Sequence, residues 1–203
     1  PRSKASNYEI SNHMPLAVMW KEGITNPGRK VTDYVSFVDF APTFLEASNT
    51  DAGKHHFVAP EGRSLFDIFE SSGNGTVTKY RNYTLLGRER HDFGRPGNQG
   101  YPIRAIIQDS LLYINNMKPD RWPNGNPETG YSDSDGSPTK TAVLKMNREG
   151  VNARYYTLTY AKRPEEELYD LSVDRDCVIN LAKNPAYSGQ KKAMKDKLAA
   201  ELC

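Results

Sequence analysis

A short polar segment holds the residues of this chain that are best suited to chemistry. Arg88, Arg90 and Arg95 lie close together in sequence, and His91 lies between them. A guanidinium can bind both oxygens of a sulfate or carboxylate group. A histidine titrates near neutral pH, so it could protonate a leaving oxygen or nitrogen or donate a hydrogen bond to hydroxyls. The segment therefore predicts an anion-binding site; the alternative is an ion-paired loop whose own carboxylates neutralise the arginines.

Trp122 is a further candidate for ligand contact. It lies among proline and charged residues in a long polar stretch, residues 116–140, that contains four prolines and four glycines. Loops of this length in compact domains are usually functional or disordered. The indole ring could stack on a sugar ring or pack within the loop, and the sequence leaves both alternatives open.

No metal site is predicted for this chain. His55 and His56 have no cysteine or carboxylate at ligand spacing. Asp133 and Asp135 resemble the start of an EF-hand calcium loop, but Leu144 occupies the last ligand position, where glutamate is required. The two cysteines show neither metal-ligand spacing nor a CxxC motif, so a disulfide scaffold is excluded as well.

Composition limits the classes of partner. The chain has 203 residues, of which 37% are hydrophobic and 26% charged, and its formal net charge is +2. So small a charge gives no field that would attract nucleic acid or an anionic membrane. The longest apolar run, residues 16–20, is too short to cross a bilayer. We therefore expect a globular, loop-rich protein with neither a nucleic-acid nor a membrane partner.

The elements that must position these residues follow from the apolar pattern. Residues 16–20 form a continuous apolar run, which is typical of a strand buried on both faces. Further strands are predicted in the second part of the chain, with a hairpin turn at Asp109 and Ser110. From about residue 185, Met194, Leu198 and Leu202 recur at helical spacing. The predicted strands are residues 83–86, 103–107, 111–114, 155–160 and 167–171.

These elements predict an α/β fold in two domains. Residues 1–75 form a partial α/β layer, and residues 76–203 form a small antiparallel sheet with a C-terminal helix. The boundary is placed in a Ser/Gly/Asn-rich linker at residues 71–76.

Short strings spread along the chain, in a fixed order, resemble the motifs of the sulfatase family. The most distinctive are the string ELYDL, an acidic turn and then NLA, which are similar to the family's C-terminal signature. Within this family the chain most resembles the subgroup that contains heparan N-sulfatase (N-sulfoglucosamine sulfohydrolase). The strings RWP, GSPTK and GRERHD carry this resemblance. The segments are residues 13–18 (HMPLAV), 35–45 (VSFVDFAPTFL), 62–65 (GRSL), 101–105 (YPIRA), 167–171 (ELYDL) and 180–182 (NLA).

The resemblance implies a calcium-dependent hydrolase of sulfate esters or sulfamates with an alkaline-phosphatase-like fold, secreted, periplasmic or lysosomal. Its nucleophile is a formylglycine made from Cys or Ser within C/S-x-P-x-R, a string that does not occur in this chain. Lys4 occupies the position at which the family places a cation against the sulfate. His91 would assist catalysis, and Arg88, Arg90, Arg95 and Trp122 would bind substrate.

The expected function is therefore that of a sulfatase fragment acting on sulfated sugars of the glycosaminoglycan type. Its partners would be the sulfated sugar and the missing N-terminal portion of the same protein. Calcium and formylglycine are implied for that parent and none for this chain, which would be inactive alone. Two alternatives stay open: a non-catalytic glycan-binding or interaction module derived from a truncated sulfatase, and a phosphohydrolase of the same superfamily.

Overall fold

The computed structural model of the chain describes residues 6–56, 58–90, 95–129 and 133–202. The chain divides into two compact units, residues 15–84 and residues 1–14 together with 85–203. The strands are β1 (Tyr83–Arg88), β2 (Ile103–Gln108), β3 (Leu111–Asn116) and β4 (Glu166–Asp170). The helices are α1 (Glu9–Asn12), α2 (Phe40–Ala47), α3 (Phe66–Glu70), α4 (Pro138–Arg148), α5 (Ala153–Thr159) and α6 (Ser188–Glu201).

The larger unit is built on a four-stranded sheet in the order β1-β2-β3-β4. Strands β2 and β3 pair antiparallel as a hairpin, and β4 pairs antiparallel with β3. Asp109 and Ser110 form the hairpin turn, and both have positive φ, 48° and 65°. This backbone matches the twist of the two strands. The predicted antiparallel sheet and its hairpin are confirmed.

Helix α6 covers this sheet by contacts with β2 and β3. Met194 and Leu198 are buried at 5% and 4% exposure, as their helical spacing predicts, whereas Leu202 is half exposed. In the strands that α6 contacts, Ile106 and Leu112 are fully buried on opposite faces of the sheet. The C-terminal helix predicted from the sequence is thus confirmed, and it stabilises the sheet by burial of apolar surface.

The prediction of a strand at residues 155–160 is wrong, because these residues fall in helix α5 and its C-terminal turn. Tyr160 N–H donates to Tyr156 O at 2.8 Å, a helical hydrogen bond. Tyr155 is 54% exposed. The aromatic and threonine residues here favour a strand only where a neighbouring strand pairs with them. The helix satisfies its own backbone groups instead and packs on α4.

The smaller unit has a core around α3. Leu65, Ile68 and Phe69 are buried there, and Trp20 packs edge-to-face against Phe69 with the ring centroids 6.2 Å apart. The predicted strand at residues 16–20 is wrong, since these residues form no strand and their side chains are exposed. An apolar run becomes a buried strand only beside a pairing neighbour, and none lies next to it in the described structure.

Asp39 and Thr43 connect two of the motif segments within the smaller unit. Asp39 Oδ1 accepts a hydrogen bond from the backbone N–H of Arg63 at 2.9 Å, and Thr43 Oγ1 accepts one from that of Leu65 at 2.9 Å. A Cβ at Gly62 would come within 2.1 Å of the Val38 carbonyl oxygen. The spacing of these motif residues is therefore explained by packing of one backbone segment against another.

Arg81 is buried beside the same aspartate, at 4% exposure. Its guanidinium donates to Asp39 Oδ2 at 2.9 Å, to Asp67 Oδ2 at 3.0 Å and to the carbonyl oxygens of Arg63 and Ser64. Every nitrogen of this side chain is bonded, which is the condition under which a buried guanidinium is tolerated. Arg81 thus stabilises the segments around α2 and α3.

The C-terminal signature has a structural role in the larger unit. Asn180 Oδ1 accepts hydrogen bonds from the backbone N–H groups of Leu168 and Ala182, both at 2.9 Å. The backbone N–H of Leu181 donates to Leu168 O at 2.8 Å. The NLA string is therefore bonded along strand β4 of the ELYDL string, and the two motifs form one unit of structure.

None of the helices in the described ranges is both long enough and apolar enough to cross a membrane.

Candidate functional site

A half-enclosed cavity lined by both polar and apolar side chains lies within the larger unit, at one end of the sheet. It offers about 20 Å³ to the centre of a water-sized sphere. Strand β1 contributes Arg88, the segment before β2 contributes Tyr101, and β4 contributes Glu167. The remaining lining residues come from the N-terminal segment, β2, β3 and two loops: Ser6, Asn7, Tyr8, Ile103, Ile114, Asn116, Pro123, Asn124 and Arg163.

Several polar atoms at this cavity are buried without a hydrogen-bond partner in the described part of the chain. They include both Nε and Nη1 of Arg88, the Tyr101 hydroxyl, Asn7 Nδ2 and Asn124 Oδ1. Tyr101 is 0% exposed, Asn7 4% and Asn124 6%. Buried polar groups in proteins are nearly always bonded, and each unbonded group costs about 1–3 kcal/mol. Unbonded groups that line one cavity therefore indicate a binding position for a polar species.

A second arginine lies next to the cavity. Arg95 is 5% exposed and donates to the carbonyl oxygens of Gln99 at 3.0 Å and Pro123 at 3.3 Å. Its Nη1 is 3.6 Å from Asp133 Oδ2, an ion-pair distance, and neither oxygen of Asp133 accepts a hydrogen bond in the described structure. The guanidinium also faces the Tyr101 ring, 5.7 Å from its centroid.

Burial sets the electrostatics of this site. Burial lowers the pKa of the Arg88 guanidinium, although the Asp133 carboxylate opposes this shift. Burial also lowers the pKa of Arg95, again opposed by Asp133. The pKa of the Tyr101 hydroxyl is raised, first by burial and then by the Glu167 carboxylate, so this hydroxyl stays protonated and can donate. An anion beside these groups would offset the unfavourable burial of positive charge.

Glu167 is already occupied by donors from the chain itself. Its Oε2 accepts from the hydroxyls of Tyr8, at 2.9 Å, and Tyr169, and its Oε1 accepts from Asn116 Nδ2 at 2.8 Å. With three donors bound and 3% exposure, this carboxylate has its charge well satisfied. Arg88 must therefore find its partner elsewhere.

The structure brings two of the predicted substrate-binding residues together, since Arg88 and Arg95 both lie near the Asp133 carboxylate and Tyr101. Arg90 is exposed and bonds to Asn98. Trp122 is half-buried, and Lys162 Nζ lies 5.5 Å from its ring centroid. Lys4 and His91, the predicted catalytic residues, lie outside the described residues.

Sequence reasoning does not single out Asn7 and Asn124, which line the cavity with unbonded polar atoms, or Asp133, which lies beside Arg95. Asn7 and Asn124 carry no local signal, because nothing in their neighbourhoods distinguishes them from other polar loop residues. Asp133 was considered only as a calcium ligand. Tyr101 does lie in a motif string, YPIRA, but its role as a buried donor follows only from contacts between distant segments.

The described residues contain no group of three or more His, Cys, Asp or Glu side chains arranged to hold a metal ion. The polar atoms left unbonded at the cavity are mainly hydrogen-bond donors, an arrangement that suits an anion.

Comparison with known proteins gives one informative relative. No family model matches the chain. The chain is 25% identical over 195 residues to an ulvan-active sulfatase from Formosa agariphila, covering 94% of this chain and 28% of that protein.

Among solved structures, BT4656 in complex with its substrate D-glucosamine-2-N,6-O-disulfate is 17% identical, with a TM-score of 0.44, and the match covers 80% of this chain and 23% of that one. A Bacteroides thetaiotaomicron protein proposed to be a sulfatase is 17% identical, with a TM-score of 0.43, and the match covers 80% of this chain and 24% of that one. Both TM-scores are below the level at which two folds are equated. The chain spans 28% of the length of the ulvan-active sulfatase. Nearly all of this chain, 94% of it, is similar to that portion of the sulfatase.

Proposed function

We propose that this chain is part of a sulfatase that hydrolyses sulfate esters or sulfamates, and that its substrates are sulfated sugars of the glycosaminoglycan type. The observation that carries the proposal is the similarity to the ulvan-active sulfatase, which extends over 94% of this chain. The ordered motif strings support it. Such an enzyme would act in the periplasm or outside the cell, where sulfated polysaccharides occur.

Lys4 is proposed to contact the sulfate. During sulfuryl transfer, negative charge on the sulfate oxygens must be balanced, and a nearby cation stabilises the transition state more than the ground state. His91 is proposed as the proton donor to the leaving group or as a hydrogen-bond donor to the sugar. The role of Lys4 rests on the family resemblance, and that of His91 on the chemistry of a histidine in a polar segment after a strand.

Arg88, Arg90, Arg95 and Trp122 are proposed to bind or shape the sugar site. Arg90 is exposed and Trp122 half-buried, so both could contact a ligand at the surface. Arg95 is buried, and through Gln99 O and Pro123 O it joins the loops that flank the cavity. Its contribution would be to position those loops.

Calcium and formylglycine, which the resemblance implies, do not fit the residues of this chain. The sequence has no C/S-x-P-x-R string, and no suitable cluster of metal ligands occurs in the described ranges. We therefore derive no reaction step through either group. We propose instead that the remainder of the enzyme supplies both, and that residues 1–203 alone do not turn over substrate.

Sulfate release tests the proposal. The protein that contains this chain should liberate sulfate from ulvan oligosaccharides or from heparin-derived disaccharides, measured by ion chromatography. Lys4→Ala should lower kcat at least tenfold, because a transition-state contact is lost. Lys54→Ala removes an exposed lysine and serves as the control with unchanged kcat. Release of phosphate from phosphate esters, with none of sulfate, would overturn the proposal.

A second candidate function is a non-catalytic glycan-binding module. The unbonded nitrogens of Arg88 favour it, because they could bind the anionic group of a sugar without catalysis. Calorimetric titration of residues 1–203 with sulfated disaccharides should then give saturable binding that Arg88→Met abolishes and Lys54→Met does not. If the heats of titration equal the heat of dilution alone, a glycan-binding module is excluded.

A further inference from the structure

The cavity at Arg88 has more hydrogen-bond donors than acceptors. Arg88 offers two N–H groups, Tyr101 one O–H and Asn7 an amide nitrogen, whereas Asn124 Oδ1 is the one unbonded acceptor lining it within the described residues. A water molecule can donate two hydrogen bonds and accept two. In a cavity with mostly donors, the hydrogens of the water would lack acceptors. A species that only accepts hydrogen bonds fits these groups better.

The charges around the cavity point to the same kind of species. Three guanidinium groups act on Tyr101, those of Arg88, Arg95 and Arg163. Two carboxylates oppose them, Glu167 at the cavity and Asp133 beside Arg95. Arg121 also acts on Arg95, so guanidiniums outnumber carboxylates in the described part of this cluster, and an anion would offset part of their positive charge. At low local dielectric such a charge is costly unless it is paired.

The size of the cavity limits the occupant. Its volume of about 20 Å³ for the centre of a water-sized sphere suits one or two water-sized particles. The buried residues Tyr101, Asn7 and Asn124 form part of its walls. A halide is one such particle, whereas a sugar ring is much larger.

We propose that this cavity is a binding site for one monovalent anion of halide size, with chloride as the expected occupant. The anion would accept hydrogen bonds from one of the two unbonded Arg88 nitrogens, Nε or Nη1, and from the Tyr101 hydroxyl and Asn7 Nδ2. It would join β1, the segment before β2 and the N-terminal segment, and so stabilise the larger unit. This role goes beyond the proposed sulfatase activity and does not depend on it.

Thermal unfolding in different salts tests the proposal. Residues 1–203 are dialysed into sodium gluconate, and Tm is measured as chloride or bromide replaces gluconate at constant ionic strength. A ligand that binds only the folded state raises Tm in a saturable way. We expect a rise of several degrees that levels off with chloride and with bromide. Equal Tm values in gluconate and in both halides would overturn the proposal.

Matched variants separate the site from general salt effects. Arg88→Met keeps an unbranched apolar stem and removes the guanidinium donors, so the halide dependence of Tm should disappear. Arg148→Met removes an exposed guanidinium of helix α4, away from the cavity, and should keep the full dependence. Tyr101→Phe loses one donor, so the chloride concentration that gives half of the maximal rise in Tm should be several-fold higher. If Arg88→Met does not fold, the tyrosine variant still decides; an unchanged chloride requirement in it would contradict the proposal.

Bromide crystallography locates the occupant directly. Crystals soaked in bromide should show one anomalous peak in the cavity, within hydrogen-bond distance of Arg88 Nε or Nη1. Density for water alone would refute the site, as would an anomalous peak elsewhere only. A parallel titration with sodium sulfate and with a sulfated disaccharide separates the two possible sources of an anion. Saturable stabilisation by these ligands and none by halide would assign the cavity to substrate and refute the halide site.

Discussion

Glu167 accepts a hydrogen bond from the hydroxyl of Tyr8 at 2.9 Å, across 159 positions of sequence. This contact connects the N-terminal segment to strand β4, in the middle of the ELYDL string. The glutamate of a string that resembles a family signature is therefore a buried structural acceptor, and it lies in the wall of the candidate anion site.

Removing the charge of Glu167 should destabilise the larger unit. In Glu167→Gln, one of the two carboxylate oxygens is replaced by an amide nitrogen, which donates. The surrounding groups also donate, so this nitrogen has no acceptor among them. We expect a loss of about 1–3 kcal/mol in the free energy of unfolding, the cost of a buried polar group with an unsuitable partner. Urea denaturation measures it. Glu165→Gln is the control, because that neighbour is exposed. Equal losses in both variants would show that Glu167 has no special role.

Removing Arg81 should destabilise the smaller unit more strongly. Arg81→Met leaves Asp39 with a buried charge and without its 2.9 Å partner. Loss of one member of a buried pair costs about 3–5 kcal/mol. Lys79→Met removes an exposed cation two residues away and should change the unfolding free energy by less than about 0.5 kcal/mol. In a double-mutant cycle, Asp39→Asn should recover part of the loss, and strictly additive losses would contradict the pairing.

Acid should weaken the packing of helix α6 through Glu166. Hydrogen bonds from Lys191 and then Lys195 lower the pKa of this carboxyl to about 2. A lowered folded-state pKa stabilises the fold above the unfolded value, near 4.5, and this stabilisation is lost as pH falls toward about 2. Glu166→Gln should therefore be less stable than wild type at pH 7, and the difference should shrink between these two pH values. Unfolding of both proteins across that range tests it, and a constant difference would contradict it.

The smaller unit exposes an aromatic row that should favour association. Phe37 and Phe44 are 74% and 68% exposed, on either side of Phe40, whose ring lies 5.5 and 6.3 Å from theirs. Exposed contiguous apolar surface promotes binding to other surfaces or aggregation. Phe37→Ser with Phe44→Ser should lower light scattering of concentrated residues 1–203 and lower binding of a hydrophobic dye. Val173→Ser, at an 83% exposed position, should change neither.

Local pattern was sufficient for some elements. The β2–β3 hairpin follows from two apolar stretches around Asp109 and Ser110, and helix α6 follows from Met194 and Leu198 at helical spacing. Each of these signals lies within a few residues of the structure that it predicts. Pattern failed at residues 16–20 and 155–160, where apolar or aromatic runs require a neighbouring strand and none pairs with them. A short apolar run does not show whether a distant segment will pair with it.

The sequence by itself determined the resemblance to sulfatases and the clustering of arginines at residues 88–95. It also determined the hairpin and the terminal helix, because turn chemistry and helical periodicity are local properties. Only the tertiary structure decided that Arg95 is buried beside Asp133, and that Arg88 meets Tyr101, Asn7 and Asn124 at one cavity. These residues are far apart in the chain. Their burial and their unsatisfied hydrogen bonds arise only when separate segments pack together, and those two properties are what makes a group of polar residues a binding site.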